Sequence, residues 1–150
     1  MATFGYETPG TSGYGSILHV ILGTVFNLPV AGVVSKITLY VNCGGTKIIS
    51  TKLKCAIYDT ADISAPALVA QTEEKVGTVL NPIDTGWHEL AFTTPPTLTA
   101  GNYILVGWGL RAGSSPSLRM QLTTDAAFDS YAQNLTYAAN FPNPLDETLF

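Results

Sequence analysis

Charge is scarce in this chain, and its scarcity excludes several classes of partner. Only 12% of the 150 residues are charged, against 46% hydrophobic, a balance that favours a folded core over disorder. The 7 basic residues form no Arg-rich or Lys-rich run and are outnumbered by 11 acidic ones, for a formal net charge of −4. Nucleic-acid binding needs clustered cations to neutralise phosphates, so nucleic acid is not an expected partner. Lys36, Lys47, Lys52 and Lys54 lie near one another and read as solvent-facing positions that keep strands soluble.

Cysteine and histidine are equally sparse, with two of each. Cys43 and Cys55 cannot build a metal site alone, and no His lies at ligand spacing from either. If residues 36–43 and 51–58 pair as a hairpin about Gly44-Gly45, Cys55 sits several residues from the position opposite Cys43, and a disulfide tolerates only a short Cα separation. Buried free thiols are the favoured reading, a bridge the alternative. No hydrophobic run approaches a membrane span. The opening Met1-Ala2-Thr3-Phe4-Gly5-Tyr6-Glu7 lacks the charged start and apolar stretch of a secretion signal.

Catalytic signatures are missing too. No G-x-S-x-G, H-E-x-x-H or Gly-rich phosphate loop occurs. His19 lies in an apolar stretch and His88 on the side of Leu90 and Phe92, so both read as hydrogen-bonded structural residues rather than general bases. Glu73 and Glu74 are neighbours on a predicted strand and point to opposite faces, which prevents a matched carboxylate pair. An enzyme is not expected, and no cofactor is. A structural calcium needs several converging oxygens. Asp59 with Asp62, and Asp125 with Asp129, match no such loop signature and read as turn residues.

What the chain does have is alternation. In Trp87-His88-Glu89-Leu90-Ala91-Phe92, His88, Leu90 and Phe92 share one side. In residues 103–110, Ile104, Val106, Trp108 and Leu110 alternate with Tyr103, Leu105, Gly107 and Gly109, and the more apolar row is predicted inward. Residues 33–42 place Ile37, Leu39 and Val41 inward, with Lys36, Thr38 and Tyr40 outward. Residues 51–58 set Leu53, Cys55 and Ile57 opposite Lys52, Lys54 and Tyr58. Further strands are predicted over 17–28, 67–76 and 118–122; 126–138 reads as a short helix or distorted strand, and 141–145 as loop. Strands separated by Gly/Pro/Asn turns predict one all-β domain, a two-sheet antiparallel β-sandwich over 17–150, preceded by an extended N-terminal arm over 1–16.

Trp87-His88-Glu89-Leu90-Ala91-Phe92, Pro96-Thr97-Leu98-Thr99-Ala100-Gly101-Asn102-Tyr103 and Lys54-Cys55-Ala56-Ile57-Tyr58-Asp59 resemble core strands of jelly-roll modules. Such carbohydrate-binding-module-like domains recur in secreted glycoside-active proteins, surface proteins and phage particles. Residues 23–37 are similar to their opening strand pair, and Phe141-Pro142-Asn143-Pro144-Leu145 to the loop before their last strand. The resemblance implies a jelly-roll-like sandwich, a non-catalytic carbohydrate-binding role and an extracellular or virion-associated location. It also implies a further strand after that loop, whereas Phe150 follows soon after. Either the arm replaces that strand, or a sheet edge stays open to copies of the same chain.

Sugar rings stack apolar C–H faces on aromatic side chains while their hydroxyls hydrogen-bond to polar neighbours. By parity Tyr40, Tyr58, Trp87 and Tyr103 point away from the predicted core, with Lys54, Glu89 and Arg111 as polar neighbours. Tyr131, Gln133 and Tyr137 mark a second candidate surface. The competing reading has these aromatics capping sheet ends or packing beneath the arm. The expected partner is a polysaccharide or glycan. The alternative function is a structural or assembly protein of a virus particle, tail or extracellular filament.

Overall fold

A computed structural model describes residues 14–17, 19–110, 119–121, 130–134 and 136–145. Twelve strands run in order along them: β1 (Tyr14–Ser16), β2 (Val20–Leu28), β3 (Gly32–Val33), β4 (Lys36–Asn42), β5 (Lys52–Asp59), β6 (Leu68–Gln71), β7 (Lys75–Val76), β8 (Gly86–Ala91), β9 (Thr97–Leu98), β10 (Gly101–Leu110), β11 (Arg119–Gln121) and β12 (Ser130–Asn134). There is no helix among the described residues. The first sheet has the order β1-β11-β4-β8, the second β12-β2-β10-β5-β6 with β7 also on β5, and β3 and β9 form a small ribbon. Every strand pairing is antiparallel. The result is an all-β sandwich, as the alternation predicted.

The chain changes sheet repeatedly, and this corrects the hairpin expected about Gly44-Gly45. That turn forms, with φ of 63° and 80° at the two glycines, values that a Cβ would oppose. It leads β4 of the first sheet across to β5 of the second rather than back alongside. Cys43 and Cys55 are buried free thiols. Boundaries also shift, and the strand predicted over 17–28 begins at Val20. Residues 14–16 of the predicted arm form β1 on β11, residues 67–76 split into β6 and β7, and the 126–138 stretch contains β12.

Ile37, Val41 and Leu90 from the first sheet meet Leu22, Leu53 and Ile57 from the second in the core between them. A second apolar layer lies on the opposite face of the second sheet. There Ile104, Val106, Trp108 and Tyr58 pack against Phe141 and Leu145. These last two belong to residues 136–145, a strap laid across β5, β10 and β6. It is tied down mostly through side-chain hydrogen bonds. Tyr58 Oη donates to Pro142 O at 2.7 Å, Phe141 N donates to Gln71 Oε1 at 2.9 Å, and Leu68 N donates to Asn143 Oδ1 at 2.9 Å. One backbone bond, Leu145 N to Pro66 O at 3.0 Å, closes the far end.

The strap overturns part of the predicted partition. β5 is buried on both faces, so six consecutive residues, 53–58, lose contact with water. Ile104, Val106 and Trp108 are buried as predicted, but beneath the strap and not between the sheets. Tyr103 instead faces the inter-sheet core, at 7% exposure, because β10 must turn one row to each layer.

Lys54, read from sequence as a solvent-facing solubilising residue, is the sharpest correction, at 2% exposure. Its ammonium lies 4.7 Å from the ring centroids of both Trp108 and Tyr137 and 4.9 Å from that of Phe141. It donates to the carbonyl of Ala138 and, at 2.9 Å, to that of Ala139. Burial pushes its pKa down to about 8, with Glu74 opposing and Lys52 assisting that shift. The side chain therefore enters the protein charged at neutral pH, compensated by ring faces and carbonyl oxygens.

Candidate functional site on the outer face of the first sheet

The outer face of β4 and β8 is where sequence parity and structure agree. Tyr40 and Trp87 are directly opposed in register, which brings cross-strand side chains into contact. Their ring centroids are 5.3 Å apart with an interplanar angle of 79°. This edge-to-face arrangement steadies the indole, and Trp87 still shows 42% of its surface to solvent. Along the same face, Glu89 opposes Thr38 and Ala91 opposes Lys36.

The Lys36 ammonium reaches diagonally to Glu89 and forms an ion pair with its Oε1. Both side chains are well exposed, at 43% and 64%, so the pair contributes little to stability. Its consequence here is to leave the face without an uncompensated charge at that pair. Rows on one face repeat every two residues, roughly 6.6 Å. The aromatic pair and the ion pair thus sit side by side, an apolar plate next to hydrogen-bonding groups.

Of the other predicted site residues, Tyr103, Tyr58 and Tyr137 do not join them. Tyr103 is sealed in the core, its hydroxyl donating to Thr99 O at 3.1 Å. Tyr58 does point away from the inter-sheet core, but the strap seals it and burial raises its pKa. Tyr137 stands half-buried over Lys54 and donates to Glu74 Oε2 at 2.7 Å. Burial raises its pKa, as does the Glu74 carboxylate. Glu74, pushed upward by burial, is held lower on balance by Lys52 and Tyr137. Lys54 is excluded as a polar neighbour by the same strap. Arg111 lies outside the described residues. Tyr131 and Gln133 lie on β12, opposite Gly23 and Ile21 of β2, and their side chains are outside the described part. Lys36 and Thr38 belong to the site although sequence reasoning assigned neither to it; their shared parity with Tyr40 was the available signal.

Asp59 and Asp62 behave as turn residues, while Asp125 and Asp129 lie outside the described residues. Asp59 Oδ1 accepts from Ala61 N at 2.8 Å, and Asp62 Oδ1 from Ser64 N at 3.0 Å. Among the described residues no three His, Cys, Asp or Glu side chains converge as a metal site would require, and no helix is long and apolar enough to cross a membrane. Comparison with protein families, curated proteins and solved structures finds no match to this chain.

Proposed function

We propose that this chain is a non-catalytic carbohydrate-binding β-sandwich module that takes its glycan on the outer face of β4 and β8. The observation that carries the reading is Trp87, a half-exposed indole braced edge-on by Tyr40 beside the Lys36–Glu89 pair. The indole offers a stacking surface for a sugar C–H face, and Thr38, Lys36 and Glu89 offer donors and acceptors for its hydroxyls. The order β1-β11-β4-β8 over β12-β2-β10-β5-β6, with β12 as an added edge strand, supports reading the sandwich as jelly-roll-like. An extracellular or particle-borne setting belongs to the same reading.

A glycan array probed with wild type and Trp87→Ala tests it. Binding that falls at least tenfold in the variant, with an unchanged unfolding midpoint, is the expected result. Equal binding by both proteins, or none by wild type, refutes it. The alternative, a structural or assembly protein of a particle, tail or filament, is supported by β12, whose only described partner is β2. An edge of that kind can accept a strand from another copy. Concentration-dependent light scattering showing ordered self-association would favour it.

A further inference from the structure

A second contact lies away from the outer face of β4 and β8. His88 on β8 is 5% exposed. Its Nε2 lies 2.8 Å from the carbonyl oxygen of Asp84 and its Nδ1 lies 3.0 Å from Lys75 Nζ. A carbonyl oxygen only accepts, so Nε2 carries the hydrogen and Nδ1 is the bare acceptor for the lysine ammonium. Lys75 is on β7, which pairs with β5 in the second sheet, while β8 pairs with β4 in the first. The imidazole therefore ties the edges of the two sheets together.

We propose that His88 and Lys75 form an acid-operated latch between the sheets at the β7–β8 edge. Protonation of Nδ1 turns an acceptor into a donor and sets two cations face to face across 3.0 Å. Among the described residues, the charged groups facing the ring are Lys75 from β7 and Asp84 from the loop before β8. Leu39, opposite on β4, is uncharged. Cys43 at the end of β4 is protonated, since burial, aided by Asp84, pushes its thiol up to about 11. Asp84 Oδ1 is 3.8 Å from Nε2 and attracts the imidazolium. That attraction keeps the ring in place, so Lys75 is the group that leaves. Glu73 and Glu74 are engaged elsewhere, with Thr93 and with Lys52 and Tyr137.

The segment the latch guards runs from β7 through the turn at 78–81, which presents Leu80 at 97% exposure; its opening also breaks the backbone bonds from Gly77 N to Thr51 O at 2.9 Å and from Ser50 N to Gly77 O at 2.7 Å. That turn is closed by Thr78 N donating to Asn81 O at 3.0 Å. Opening binds one extra proton, so its population rises up to tenfold for each pH unit through which the imidazole is protonated. The latch is independent of the carbohydrate reading and stands or falls separately.

Amide hydrogen exchange, corrected for intrinsic rates, tests it on peptides covering 74–90, with 53–58 as the internal reference. Between about pH 7.5 and about pH 5.5, within the range where imidazoles titrate, wild type should lose protection roughly tenfold or more in 74–90 and not in 53–58. Lys75→Met, which keeps the aliphatic stem and removes the charge, should show no such loss. Nitrogen-15 spectra of the imidazole should report the Nε2–H tautomer at the higher pH. A pH-independent wild type, a Lys75→Met protein that responds equally, or the opposite tautomer would overturn the latch.

Discussion

Lys54 allows a test of what a buried charge contributes to this fold. Lys54→Ala removes the stem that fills the space beneath Trp108, Tyr137 and Phe141. Truncation of a comparable buried chain costs about 3 kcal/mol. Lys54→Met keeps the volume and discards the charge. Ala138 and Ala139 are exposed, so water can take the two carbonyls the ammonium leaves. The lowering of its pKa from 10.5 to about 8, led by burial, reflects a desolvation cost that methionine does not incur. Lys54→Met should therefore remain within about 1 kcal/mol of wild type at neutral pH.

The sign of the pH dependence follows from the same shift. A lysine whose folded pKa is lowered carries a penalty in full below about pH 8, and the penalty is relieved as pH rises toward the unfolded value of 10.5. Wild type should gain about 1 kcal/mol relative to Lys54→Met between pH 8 and 9. The buried thiols work the other way, because burial raises both and unfolding releases their protons above about 9. They are common to both proteins and cancel in the difference. Urea unfolding of the three proteins at the two pH values measures it. If Lys54→Met is as unstable as Lys54→Ala, or its difference from wild type is flat with pH, the account of the caged ammonium is wrong.

A Cβ at Gly23 would overlap Leu105 O and lie 2.5 Å from Val106 Cγ1, so Gly23→Ala should cost about 3 kcal/mol in a denaturant titration. Tyr58→Phe deletes the donor to Pro142 O; it should cost about 1 kcal/mol and speed proteolytic cleavage within 136–145. Cys43 and Cys55 are buried, with Cys43 raised to about 11 and Cys55 raised further. At pH 8 their labelling by a disulfide reagent should therefore be no faster than global unfolding.

β4 and β8 of the first sheet were legible in the sequence because one of their faces meets water. Ile37, Val41 and Leu90 alternate with Lys36, Thr38 and Glu89 on β4 and β8, and burial follows that alternation. β5 and β10 of the second sheet hid their orientation because both their faces are covered. On β10 the rows Ile104-Val106-Trp108 and Tyr103-Leu105 are each packed, so choosing the more apolar row as the inner one misplaced Tyr103. Lys54 was misread for a related reason: its cover comes from residues more than eighty positions away, and no local pattern reports that. Phe141 and Leu145 were the available hint, since two large apolar side chains in an apparent loop need somewhere to pack.

The strap also imposes an order on biosynthesis. Lys54 and Ala138 are separated by 84 positions, so at about 10 residues per second the outer side of β5 emerges from the ribosome roughly eight seconds before its cover. During that interval Tyr58 and its neighbours are an unprotected sticky surface. The nascent chain must tolerate this wait, and translation slowed late in the message would lengthen it.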